Sequence, residues 1–193
     1  MTVRVVIAED EAIVRLDLKE ILEEEGFDVV GETGRGDEAV ELVRAHRPDL
    51  AILDIKMPGV DGLTAARDIT AERMAAVLVL TAFSQRDLIE QARNAGALAY
   101  LVKPFQKTEL FPAIDIALGR FAEMKALEDQ VKDLTERLEV RKVVEKAKGI
   151  LMDACDMTEN AAFTWIQHAA MDQRVRMDLI ARRVIDDGVR PPG

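Results

Sequence analysis

Five reactive side chains sit just beyond short apolar runs. Glu9-Asp10 follows Val3–Ala8, Asp54 follows Leu50–Leu53, Thr81 follows Val77–Leu80 and Lys103 follows Ala99–Val102. Continuous runs of Val, Ile and Leu suit strands buried on both faces, and in an open α/β sheet ligands bind beyond the carboxyl ends of the strands. Three carboxylates converging there repel one another, and a divalent cation is the usual remedy. Mg2+ takes few carboxylates and keeps waters, which leaves open positions for a phosphoryl group. Lys103 would neutralise phosphoryl charge, the Thr81 hydroxyl would donate to a phosphoryl oxygen, and an Asp can be the nucleophile that forms an aspartyl phosphate. Taken singly, an acidic residue after a strand is commonly the N-cap of the next helix. The ordered set carries the reading.

The elements that must position these residues alternate in type. A fifth, weaker strand-like run is Phe27–Val30. Helical spacing appears at Ala12–Glu25, Glu38–Arg44, Leu63–Arg73 and Gln85–Ala95, with Gly26, Gly59, Gly62 and Gly96 at the connections. Five βα units in about 120 residues predict an α/β domain with a doubly wound five-stranded parallel sheet, flavodoxin-like in arrangement. Beyond Lys103-Pro104-Phe105 only helical patterns recur, so an all-α coiled coil and a small helical output domain should follow. Pro112 falls near a helix start, where a lost N–H costs least and a slight bend is expected. Met124, Leu127, Val131, Leu134 and Leu138 form about two heptads of a seam, which Arg141 breaks. Thr158 reads as an N-cap for a helix to Met171, and a last helix runs from about Arg176 to Asp186. The expected division is 1–120 for the α/β domain, 121–140 for the coiled coil and 127–188 for the output domain, which overlaps the coil.

Composition narrows the class. The 193 residues carry 26 Lys and Arg against 36 Asp and Glu, a net charge of −10, which argues against indiscriminate nucleic-acid binding. One Cys forms no internal disulfide, and with two His it makes no plausible zinc site. No secretory pattern opens the chain, and the longest apolar run, Met74 to Phe83, falls short of the roughly 20 residues a membrane span needs. A soluble, cytoplasmic protein without membrane contact is expected.

The set Glu9-Asp10, Asp54-x-Lys56-Met57-Pro58-Gly59, Thr81-Ala82 and Lys103-Pro104-Phe105 resembles the receiver domain of two-component response regulators over about residues 3–120. The resemblance implies that Asp54 accepts a phosphoryl group from a cognate sensor histidine kinase. It further implies Mg2+ held by the side chains of Asp10 and Asp54, the backbone carbonyl of Lys56 and, through water, Glu9. Lys103 would pair with the phosphoryl group, Thr81 and the Ala82 N–H would hold its oxygens, and Lys103-Pro104 would be cis. Tyr100 matches the aromatic switch position that moves inward with Thr81. The family also places Lys56 and Phe83 beside the path of the attacking water, where a long stem and a large ring should slow hydrolysis of the aspartyl phosphate. No enzyme with a small-molecule substrate is expected, because the receiver only assists its own phosphorylation and dephosphorylation.

In the second half, Arg141, Lys142, Lys146 and Lys148 cluster with only Glu145 against them, and Arg174, Arg176, Arg182 and Arg183 form a second group. On charge alone two solvated helix faces explain them. Phe163 and Trp165 are the only candidates for base stacking there, and the pattern assigns both to a small core with Ala162, Ile166 and Ala170. The string from Arg141 to Met152, with its Ala147-Lys148-Gly149-x-Leu151-Met152 run, resembles the ANTAR domain of transcription antitermination regulators, as do Met157-Thr158, Ala162–Ile166 and Ala169–Met171. The match covers about residues 127–187, with Ala169-Ala170 where many members have a Ser. This implies phosphorylation-controlled binding of nascent RNA bearing paired stem–loops, by Arg141, Lys142, Lys146, Lys148, Arg174 and Arg176. It also implies a phosphorylation-dependent homodimer through the seam Leu127, Val131, Leu134 and Leu138, so that two domains engage two stem–loops. Two other classes stay open: a DNA-binding response regulator and a protein-binding phospho-switch.

Overall fold

The computed structural model describes residues 2–82 and 86–191. Its elements alternate as expected: β1 (Arg4–Ala8), α1 (Ala12–Glu24), β2 (Asp28–Thr33), α2 (Gly36–His46), β3 (Leu50–Asp54), α3 (Gly62–Ala71), β4 (Ala76–Thr81), α4 (Arg86–Asn94) and β5 (Ala99–Val102). Three helices follow: α5 (Lys107–Cys155), α6 (Glu159–Gln173) and α7 (Met177–Asp186). The chain divides into two compact units, residues 1–125 and 126–193. No helix among the described residues is long and apolar enough to cross a membrane.

In the first unit five parallel strands run in the order β2-β1-β3-β4-β5. Strand side chains alternate between the faces of the sheet, and helices cover both. Val6, Ala8, Ala51, Leu53, Val77 and Val79 pack with Val43, Leu63, Ile69 and Ala92 of α2, α3 and α4. Val5, Ile7, Leu50, Ile52, Leu78 and Leu80 pack with Leu18 and Leu22 of α1 and Leu110 and Ile114 of α5. Burial on both sides is why β1, β3 and β4 read as unbroken apolar runs. The weaker β2 lies at a sheet edge and stays partly exposed.

The first part of α5 contributes Leu110, Ile114 and Ala117 to the first unit, and its last part contributes Val144, Ala147 and Leu151 to the second. The helix continues through Pro112 and through Arg141. Arg141 ends the apolar seam without ending the helix, since Arg is itself a good helix former. In the second unit α6 is capped by Thr158, whose side chain accepts from the Ala161 N–H, and lays Ala162, Ile166 and Ala170 against Ile180, Ala181 and Val184 of α7.

Candidate functional site

The carboxyl ends of β1, β3, β4 and β5 bring the reactive residues together. The backbone leaves β1 at Glu9 and β3 at Asp54, the two carboxylates being buried, while Asp10 stays exposed at the mouth. One carboxylate oxygen from each of Glu9, Asp10 and Asp54 lies within 4.8 Å of the others. From the end of β5, Lys103 reaches into this group. Its Nζ lies 2.9 and 3.1 Å from the two Glu9 oxygens, 3.0 Å from Asp54 Oδ1 and 3.8 Å from Glu11 Oε1. The Lys56 N–H donates to Asp54 Oδ2 at 3.1 Å. Buried Thr81 and exposed Ala82, with Asp10, Glu11, Asp54, Ile55, Lys56 and Lys103, line one cavity. The Lys103-Pro104 bond is cis.

Burial pushes the carboxyls of Glu9 and Asp54 above their ordinary range, against the opposing hydrogen bonds from Lys103. For Lys103 burial works against the charge, yet the hydrogen bonds to Glu9 and Asp54 outweigh it and raise the ammonium pKa. One lysine thus balances a buried carboxylate pair. The three carboxylates offer hard oxygens from few side chains around an open mouth, the donor set that suits Mg2+.

Two supports escaped the sequence reading. Arg15 of α1 donates to the Glu9 carbonyl and so ties the β1 turn to the next helix. Gly62 opens α3 directly beneath Asp54, where an added Cβ would stand 1.8 Å from the Asp54 carbonyl oxygen and 2.8 Å from its carbon. A glycine in a Pro-Gly-x-Asp-Gly string could have signalled such a close approach. Asp61, just before it, caps α3 by accepting from the Leu63 and Thr64 N–H groups at 3.0 and 2.9 Å. Gly62→Ala should destabilise the protein by about 1–3 kcal/mol, as over-packing does, and displace Asp54. Calorimetry checks the first effect and phosphorylation rate the second; an unchanged melting temperature would mean the turn yields freely.

Tyr100 on β5 is exposed, its ring lying along a groove with Ala113, Ile116 and Arg120. Phe83 lies outside the described residues.

In the second unit Arg141, Lys142, Lys146, Arg174 and Arg176 are exposed. Lys142 pairs with Glu139 at 2.7 Å and Arg176 with Asp178 at 3.1 Å. Lys148 differs from the other five. Its side chain is buried, and its Nζ bridges Glu145 at 2.9 Å and Glu159 at 2.7 Å, joining α5 to α6. Hydrogen bonds from Lys148 to Glu159 and Glu145 raise its pKa. Phe163 departs from the core position expected for it and is 39% exposed, whereas Trp165 packs against the helical core. The core line of α6 is Ala162, Ile166 and Ala170, and each further residue turns about 100° away from its neighbour. The seam residues Leu127, Val131, Leu134 and Leu138 are between 58% and 63% exposed.

A five-stranded parallel sheet with an acidic pocket, a Thr and a Lys at its carboxyl edge is the arrangement of a signal receiver. The model of the response regulator receiver domain matches residues 5–115 and that of the ANTAR domain residues 132–185, and the chain belongs to the response regulator family with an ANTAR domain. It is 58% identical over 183 residues to the transcriptional regulatory protein PdtaR of Mycobacterium tuberculosis (strain ATCC 25618 / H37Rv), covering 95% of this chain and 89% of that protein. Chemotaxis protein CheY of Bacillus subtilis (strain 168) is 39% identical over 120 residues, 62% of this chain and 100% of CheY. Among solved structures, the receiver domain of NarL from Mycobacterium tuberculosis superposes with a TM-score of 0.59 at 33% identity, covering 61% of this chain and 97% of that one. CheY from the CheX-CheY-BeF3-Mg2+ complex of Borrelia burgdorferi gives 0.55 at 27% identity, over 58% and 86%.

Proposed function

We propose that this response regulator is an RNA-binding antiterminator switched by phosphorylation of Asp54. The observation that carries the proposal is the presence, on one chain, of the buried Asp54–Lys103–Glu9 site and a second unit matching the ANTAR domain. In the first step an Asp54 carboxylate oxygen bonds to phosphorus as the N–P bond of a kinase phosphohistidine breaks, and the electron pair stays on the departing imidazole. Asp54 and Asp10 would hold Mg2+ by their side chains, with the Lys56 carbonyl and a Glu9-bound water, and the ion would offset charge on the transferring group. Lys103 would shift from Glu9 towards the phosphoryl oxygens, while Thr81 and the Ala82 N–H would hold them. The related CheY of Borrelia burgdorferi, solved with BeF3 and Mg2+, supports this assignment.

On the output side, RNA loops present unstacked bases and phosphates, whereas the RNA duplex major groove is too narrow for side chains to read. The exposed cations Arg141, Lys142, Lys146, Arg174 and Arg176 would supply phosphate contacts. A gel shift of the full chain, treated with a small phosphodonor in Mg2+, against RNA hairpins and matched DNA duplexes at fixed salt tests the reading. Preference for hairpins that rises on phosphorylation is expected; preference for duplex DNA, or salt-insensitive output without RNA, would overturn it.

Arg141→Ala should weaken hairpin binding and flatten its salt dependence while leaving thermal unfolding unchanged, because exposed charges add little to stability. Lys148→Ala should instead lower the melting temperature, since it removes a buried side chain whose ammonium ties α5 to α6 through Glu145 and Glu159. Equal thermal stability of the two variants would return Lys148 to the RNA face.

The 3,4-spaced apolar residues Leu127, Val131, Leu134 and Leu138 fit a coiled coil with a second copy of the chain. If phosphorylation favours that dimer, the coupling is expected to be about 1–3 kcal/mol, roughly 5- to 150-fold. Sedimentation should show the shift, and Leu134→Asp should remove it. An assembly state unaltered by both would point to release of an inhibitory contact instead.

A further inference from the structure

The solvent face of α6 is unusual in a chain with a net charge of −10. Asn160, Phe163, Thr164, Gln167 and Met171 fall within about 100° of the helix circumference, all five are exposed, and none carries a charge. The two carboxylates of α6 lie elsewhere. Glu159 is tied to Lys148 at 2.7 Å, and Asp172 falls roughly 130° round the helix from the middle of that face. At its far end Arg174, exposed, closes the helix in the left-handed conformation at φ 53°. The buried line Ala162, Ile166 and Ala170 fixes which way this face points within its unit. An exposed aromatic ring, two side-chain amides that each donate and accept, and a terminal guanidinium therefore share one carboxylate-free strip.

That chemistry matches an unpaired nucleobase: a ring to stack on, amides for the base edge and a cation for a phosphate of the same loop. We infer that Phe163 is the stacking platform for an unpaired base of a hairpin loop, with Gln167 and Asn160 flanking the base edge and Arg174, about 16 Å along the helix, on a phosphate further along the same loop. This rests on the RNA-binding reading above and names the surface that reads the loop. The cations of α5 would then position the stem without reading its sequence.

The probe is a set of hairpins selected from a random-loop library by the full chain, phosphorylated with a small phosphodonor in Mg2+, and carrying 2-aminopurine at successive loop positions. The wild type should quench the fluorophore at one loop position. Phe163→Ala should weaken hairpin binding about 5- to 150-fold and abolish the quench. Phe163→Leu, which keeps apolar bulk but has no π face, should also lose the quench, and Phe163→Tyr should retain it. Binding to a fully paired RNA of equal length should not change. Phe163→Leu should melt close to the wild type, since it keeps apolar bulk at a position that is 39% exposed and outside the core line, so its lost quench reads the ring and not the fold. Wild-type affinity and quench in Phe163→Ala and Phe163→Leu would overturn the assignment while leaving RNA binding intact. Loss of self-association in Phe163→Ala without loss of RNA affinity would make the face an interface between copies and also overturn it. Selection that yields no hairpin for the wild type would remove the RNA reading itself, and this inference with it.

Discussion

Asp54→Asn is expected to abolish phosphorylation outright. With Mg2+ and a small phosphodonor, the wild type should gain a single phosphoryl group labile to both acid and alkali. The variant should gain none, because an amide oxygen is too weak a nucleophile and carries no charge to draw Mg2+. The amide fits the space of the carboxylate and still accepts from the Lys56 N–H, so the fold should survive. Asp10→Asn separates the metal from the acceptor: Asp10 is exposed, and its loss should raise the Mg2+ concentration needed for half-maximal rate. Intact-mass measurement reads both variants. A phosphoryl group on Asp54→Asn at the wild-type level would place the acceptor elsewhere.

Lys103→Met should produce the largest loss of stability in the metal-free protein. It removes a cation that lies within 3.1 Å of both buried carboxylates, and breaking a buried pair by deleting one partner costs on the order of 3 kcal/mol. Proton uptake limits the cost and gives it a pH signature. The folded-state pKa values of Glu9 and Asp54 already lie above their unfolded values, first through burial, and without Lys103 they should rise further. A carboxyl with a raised folded pKa favours the folded state most below its unfolded value, about 4, and that advantage is lost as pH climbs through the raised one. Lys103, with its raised pKa, contributes its full stabilisation at every pH below about 10 at which its partners are ionised. The deficit of Lys103→Met should therefore be greatest at neutral pH, shrink on acidification towards pH 4 and shrink when Mg2+ is added. Denaturant titrations at several pH values would measure it, and a deficit independent of pH would show that the lysine stem, not its charge, supports the site.

The sheet and its reactive edge were legible in the sequence because both are written in local terms. A strand covered on both faces must be apolar at every position, so β1, β3 and β4 announced themselves, and the residue after each run was already at the carboxyl edge. Thr158 was legible as a cap for the same reason, its partner lying three residues on. Both domains could be recognised from short strings of this kind, and the comparisons bear that recognition out. What the sequence did not decide is anything set by a partner distant along the chain. Lys148 sat in a basic cluster, yet Glu159, eleven residues away on another helix, takes its charge and buries it. Phe163 sat in an apolar run, yet α6 turns its core line to Ala162, Ile166 and Ala170 and leaves Phe163 beside that line, 39% exposed. Lys103 was expected to meet a phosphoryl group, and the tertiary fold sets its ammonium against Glu9, 94 residues earlier in the chain. Periodicity tells which side of a helix is apolar on average, but how far that side is covered depends on where the neighbouring helix crosses it. Likewise a charge has no fixed role until folding decides whether its nearest opposite charge, or the solvent, lies within hydrogen-bonding reach.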